Sequence, residues 1–270
     1  MSLTRIIGVM LILNFAVVAC ADNADKLATA ASGAHRSAGN IARNVWRHPV
    51  ATLQFFGIRD DMTVVEIWPG GGGWYTEVLA PYLRNHGKLY AANYDGSTGV
   101  AYFRRNEQKF KDKLAANTAV YDRVEITALM PPASITPAPP GSADMVVTFR
   151  NLHNWMAAGS DAGMFKAMYE VLKPGGILGL TDHRADPDMV GMEWVRNGYV
   201  READAIRLAE AAGFIFVART AINANPNDTK HYVEGVWTLP PSYRRGDTDK
   251  AIYQAIGESD RMTLKFVKAP

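Results

Sequence analysis

The segment Val64-Val65-Glu66-Ile67-Trp68-Pro69-Gly70-Gly71-Gly72-Gly73-Trp74-Tyr75-Thr76 constrains the fold more than any other stretch of the chain. An apolar strand closes on a carboxylate, passes through four consecutive glycines and opens into a helix. Glycine reaches backbone angles closed to other residues, and its missing side chain lets a ligand come into contact with the main chain. A helix beginning near Trp74 turns free amide groups toward the same place. Strand, loop and helix in that order open an α/β unit whose loop receives a nucleoside-type ligand.

The position of Glu66 narrows the ligand. Dinucleotide-binding loops open on glycine and carry their acid roughly 20 residues later, whereas here the acid comes first. That order favours S-adenosylmethionine over NAD and disfavours a nicotinamide reductase. On these residues the chain resembles the class I S-adenosylmethionine-dependent methyltransferases, whose first motif often reads Glu-Ile-Gly-Pro-Gly-x-Gly. Glu66-Ile67-Trp68-Pro69-Gly70-Gly71-Gly72 matches it except at Trp68, where a ring replaces the first glycine and must turn away from the loop. The resemblance implies S-adenosyl-L-methionine as cofactor, held by Glu66, Gly70 and Gly72 with Tyr75 beside them.

Past the loop, helix and strand alternate as a parallel sheet requires: a helix over Tyr75 to Leu83, a strand over Gly87 to Asn93, a helix over Tyr102 to Ala115 and a strand from Val124. In the resembled family the second strand ends in an acid that holds the ribose hydroxyls. The aligned residue here is Asn93, with Asp95 two places on, and the same residues also read as a plain turn. The loop at Leu129 corresponds to the one that lies beside the adenine ring in that family. Prolines between Met130 and Gly141 exclude regular structure there.

A fourth strand from Ala143 runs directly into Arg150-Asn151-Leu152-His153-Asn154-Trp155. Ligands of open α/β sheets sit outside the carboxyl ends of the strands, which puts Asn151 and Trp155 among the candidate substrate-pocket residues. His153 is the candidate base, its ordinary pKa being near neutrality; a structural histidine bonded to a neighbouring carbonyl is the alternative. Leu172-Lys173-Pro174-Gly175-Gly176 stops a helix that begins at Met164. This run strengthens the methyltransferase resemblance and precedes a fifth strand ending at Asp182-His183. His183 joins the candidate pocket wall. Adjacent strand residues point to opposite faces, so Asp182 and His183 are not expected to grip one ion, and no metal is expected.

The chain closes with a helix over Glu202 to Ala212, a strand over Phe214 to Thr220, an excursion over 223–260 and a last strand over Arg261 to Val267. An excursion that long is usually functional and is read as a substrate-side cover. The expected fold is therefore α/β and Rossmann-like: a mostly parallel seven-stranded sheet, its last strand antiparallel as the resemblance implies, with helices on both faces. From Ile41 to the end the whole-chain pattern is similar to a group of exported bacterial methyltransferases, a likeness that brings no substrate with it.

Arg5 followed by the apolar run from Ile6 to Val18 reads as an export signal over 1–21, too short for a comfortable membrane span. Val17-Val18-Ala19-Cys20 resembles the lipobox of bacterial lipoproteins, which implies lipid attachment at Cys20, the sole cysteine. Ordinary cleavage after Ala21 and an uncleaved anchor are the competing readings. The expected location is thus the bacterial periplasm or cell envelope. Residues 22–40, rich in alanine and polar side chains, read as a tether before a domain over 41–270. Arg43 and Arg47 precede a short helix that either covers the active site, as in many relatives, or leaves both arginines in solvent. A net charge of +2 with no basic-aromatic stripe gives nucleic acid binding little support. A small-molecule methyl acceptor is the expected substrate. The alternative is a ligand-binding protein that kept the fold and lost catalysis.

Overall fold

The computed structural model describes residues 23–270; the export signal over 1–21 and Cys20 lie outside the described residues. In chain order the helices are α1 (23–32), α2 (Ala38–Ile41), α3 (Asn44–Arg47), α4 (Pro49–Phe56), α5 (Thr76–Leu83), α6 (Ala101–Ala115), α7 (Thr118–Tyr121), α8 (Leu152–Ala158), α9 (Asp161–Val171), α10 (Met192–Arg196), α11 (Glu202–Ala211) and α12 (Lys250–Ile256). The strands are β1 (Thr63–Ile67), β2 (Lys88–Asn93), β3 (Val124–Ala128), β4 (Ala143–Phe149), β5 (Leu172–Ala185), β6 (Val200–Arg201), β7 (Phe214–Thr220) and β8 (Arg261–Lys268).

The sheet runs β3-β2-β1-β4-β5-β8-β7, with the two-residue β6 paired to β5. Strands β1 to β5 are parallel, and β8 lies antiparallel between β5 and β7. The expected seven-stranded architecture holds, and β6 is the short addition. Alternation along each strand feeds two cores. Val65, Ile67 and Val146 face α8, α9 and α11, whereas Val64, Met145 and Val147 face α1, α4, α5 and α6. A Cβ on Gly179 would lie 2.5 Å from the Phe56 ring, so only glycine lets α4 lie this close to β5. The run Leu172 to Gly176 stops α9 as expected. It also forms the irregular start of β5, where the register with β4 shifts.

The tether reading of 22–40 is corrected for the described part. Leu27, Ala30 and Ala31 of α1 are buried in the core against α5, and Arg36 is buried with its Nε donating to Glu77 at 3.0 Å. Alanine-rich composition suggests a loose segment because its apolar residues are small; three residues of this one nonetheless face inward. Leu27→Ala is therefore expected to cost about 2–4 kcal/mol, read as a lower urea midpoint at unchanged slope. A solvent-exposed tether would show no change.

Strand order turns back between β1 and β4, which opens a crevice at their carboxyl ends. The residues that follow both strands are left-handed although neither is glycine: Trp68 has φ 48° and Arg150 φ 63°. Such backbone is costly for side-chain-bearing residues and is concentrated at functional sites.

Candidate active site

The crevice is a cleft of about 360 Å³. Glu66, Gly70, Gly72, Tyr75, Asn151, His153 and His183 all line it. Asn93, Asp95, Leu129 and Trp155 do not.

At one end lies the glycine loop. Gly70 has φ 68°, and a Cβ at Gly70 or Gly72 would meet nothing within 4 Å, so the backbone there is open to a ligand. Glu66 is buried and accepts a hydrogen bond from Thr76 Oγ1 at 2.6 Å. Burial pushes its carboxyl up to about 7, against the opposing pull of that hydrogen bond and of Lys113. Between pH 4.5 and 7 the folded protein then holds a proton that the unfolded chain has lost, so stability falls as pH rises through that window. Relative to Glu66→Gln, the wild-type protein is expected to lose up to about 3 kcal/mol across it. Parallel urea midpoints for the two proteins from about pH 4 to 8 would contradict this.

Trp68 departs most from the family pattern. Its indole Nε1 donates to the Leu129 carbonyl at 2.7 Å, and its ring packs against Tyr94 at 4.8 Å and Trp155 at 5.9 Å. The ring thus fills the place beside Leu129 where the resemblance puts an adenine. Asn93 is fully buried with its Oδ1 taken by the Tyr94 amide. Asp95 accepts from Ser97 and Ser134, capping a turn outside the cleft. Both are corrected as cleft residues: neither lines it, the Asn93 oxygen being engaged by the next residue's amide and the Asp95 carboxylate by Ser97 and Ser134. Trp155 is likewise corrected: it is a fully buried core residue packed on Phe165. Tyr94 and Tyr102, which the sequence does not single out, line the cleft at this end instead.

At the other end, His153 Nδ1 donates to Asp182 Oδ1 at 2.9 Å, and its backbone N–H donates to Asp182 Oδ2 at 3.1 Å. The His183 N–H donates to Oδ1 at 2.7 Å. These three bonds compensate the burial of the carboxylate. They also leave Nε2 as the His153 ring nitrogen without a partner among the described residues. His183 Nδ1 shares a hydrogen bond with Ser259, and burial, then His153 and Arg150, hold its pKa well below the ordinary histidine value.

The expectation that Asp182 and His183 stay apart is corrected, since candidate ligand atoms of His153, Asp182 and His183 lie within 4.8 Å of one another. The Asp182 carboxylate curls back onto the His183 amide, and the histidine rings approach to 5.3 Å between centroids. The carboxylate nevertheless already accepts three protein hydrogen bonds, and Arg47, Arg150 and Arg261 bear on His183. A cation would compete poorly there.

Asn151 donates to the Ile67 carbonyl at 3.0 Å and to Thr148 Oγ1 at 3.1 Å, so it braces β4 against β1. Tyr75 stacks on Phe149 with centroids 3.4 Å apart and donates to the Arg47 carbonyl at 3.0 Å. Arg47 is 1% exposed, which corrects its placement in solvent. Trp237, Pro240, Glu258 and Ser259 bring the 223–260 excursion onto the cleft. Only its length points there, since its contacts are made through the tertiary fold.

No family model and no curated protein matches the chain. Solved structures share its fold. An S-adenosylmethionine-dependent methyltransferase from Aquifex aeolicus is 15% identical, with 84% of this chain and 92% of that one covered at a TM-score of 0.55. A putative sarcosine dimethylglycine methyltransferase from Galdieria sulphuraria is 13% identical, with 85% and 86% covered at 0.54. The [4+2]-cyclase SpnF is 15% identical, with 83% and 80% covered at 0.56. At this identity the likeness establishes the fold, and the same fold carries more than one chemistry.

Proposed function

We propose that the chain transfers a methyl group from S-adenosyl-L-methionine to a small-molecule acceptor. The observation that supports this reading is one cleft that joins the Glu66 glycine loop to the Asp182–His153 pair. The residues fit the cofactor at the loop, where Gly70 and Gly72 leave the main chain open and Glu66 lines the wall. At the nucleoside end Trp68 and Tyr94 stand in for the usual seat, so a base would rest against the aromatic wall that includes Tyr102.

When bound, S-adenosylmethionine supplies an electrophilic methyl group on a positively charged sulfur. The protein's own part is positional and protolytic. Asp182 fixes the His153 ring with Nε2 as the acceptor of a proton from the substrate hydroxyl or amine. The 223–260 excursion covers the cleft and excludes water, and alignment of the two reactants supplies much of the rate. Export and lipid attachment at Cys20 belong to the same proposal; Cys20→Ser is expected to abolish incorporation of labelled palmitate.

The filled seat beside Leu129 favours a second reading, a ligand-binding protein without transfer. Formation of S-adenosylhomocysteine, measured across a panel of phenols, amines and carboxylic acids, separates the two. Turnover on any acceptor that is lost in His153→Gln supports transfer, and absence of turnover together with absence of cofactor binding supports the second reading.

A further inference from the structure

Four guanidinium groups crowd one carboxylate on the wall of the cleft. Glu258 accepts from Arg43 Nε at 2.7 Å, from Arg47 Nε at 3.0 Å and from Arg261 Nη1 at 3.1 Å, and Arg150 bears on it as well. Against its burial, Arg47, Arg261, Arg43 and Arg150 hold the Glu258 carboxyl down to about 2. One negative charge is left to serve four positive ones.

The hydrogen-bonding groups show the same surplus. Arg47 is 1% exposed, yet both of its Nη atoms are buried without a partner, as is Arg43 Nη2. Arg150 makes no side-chain hydrogen bond or ion pair among the described residues, and it lines the cleft at the end of β4. Buried charged donors without acceptors are costly and rare in folded proteins. Here Arg43, Arg47 and Arg150 line the same cleft as the glycine loop and His153, and the guanidinium fork matches the paired oxygens of a carboxylate or phosphate. Tyr75 and Trp237 line the same space and offer aromatic surface to the rest of such a molecule.

We propose that Arg43, Arg47 and Arg150 form an anion subsite that docks a carboxylate or phosphate group of the small molecule presented to His153. That this molecule is the methyl acceptor rests on the methyl-transfer reading; that the arginines bind its anionic group does not. The amino-acid carboxylate of S-adenosylmethionine has the same chemistry, and competition distinguishes the two sources.

The probes are benzoate and inorganic phosphate, titrated calorimetrically into the purified wild-type protein, Arg150→Gln and Arg150→Lys, with Arg43→Gln as a second charge-removing variant should Arg150→Gln not fold. At least one probe is expected to bind saturably at millimolar concentration, about tenfold or more weakly in Arg150→Gln and with intermediate affinity in Arg150→Lys, which keeps the charge and loses the fork. S-adenosylhomocysteine is expected to bind with affinity changed less than about threefold by saturating benzoate.

Competition between benzoate and S-adenosylhomocysteine would assign the arginines to the cofactor's own carboxylate and overturn the proposal. So would equal benzoate binding by wild type and the charge-removing variant, or no saturable binding of either anion. Saturable benzoate binding that depends on Arg150, in a protein that binds no S-adenosylhomocysteine, would retain the anion subsite and remove the methyl-transfer reading.

Discussion

Asp182→Asn is expected to lower stability by about 2–4 kcal/mol and to move the proton of His153 from Nδ1 to Nε2. Asp182 is fully buried and accepts three hydrogen bonds, from two backbone amides and from His153 Nδ1. An asparagine offers one oxygen, and its NH2 group must face at least one of those donors. If the oxygen takes the Oδ2 side and keeps the His153 amide, the NH2 group faces both the His183 amide and the imidazole, which can accept only after changing tautomer. Nε2 then carries the proton and no longer serves as a base, and turnover falls about 10²–10⁴-fold. Nitrogen chemical shifts of the labelled imidazole read the tautomer without knowledge of the substrate. An unchanged tautomer at unchanged stability would show that Asp182 does not orient His153.

Trp68→Gly is expected to weaken the fold and tighten cofactor binding together. Removing the ring forfeits its packing on Tyr94, Phe103 and Trp155, a loss of about 3–5 kcal/mol for an aromatic truncation. Glycine at φ 48° recovers about 1 kcal/mol of that. The space beside Leu129 becomes free for a nucleobase, and the added burial is worth about 1–2 kcal/mol, a gain of roughly tenfold in affinity. Calorimetry with S-adenosylhomocysteine and urea unfolding read the two effects separately. Weaker binding in the variant would identify the indole as the platform on which the base stacks.

The frame of the fold is legible in the sequence because it rests on local pattern. Apolar β1, the glycines and the alternation of helix and strand each occupy adjacent residues, and adjacent residues decide local structure. β7 over Phe214–Thr220 is readable to the residue for the same reason. The candidate base His153 can be named from the sequence, but its orienting partner cannot, since Asp182 is 29 residues away and reaches it only across β4 and β5. Residues 23–40 escape a local reading because burial of Leu27 and Arg36 depends on Glu77 and the α5 face, which the local composition does not encode. The arginine cluster has one weak signal, the four-residue spacing of Arg43 and Arg47; Glu258 stands 211 residues from Arg47, with nothing in the sequence to join them.

The most direct measurement is calorimetric titration of S-adenosylmethionine into the wild-type protein and Glu66→Gln. Saturable one-to-one binding by wild type at about pH 8.5, where the Glu66 carboxyl beside the glycine loop is ionised, weakened about tenfold or more when that carboxyl is replaced by an amide, is the expected result. Absence of binding in both proteins, or equal binding in both, would contradict a cofactor site at that loop.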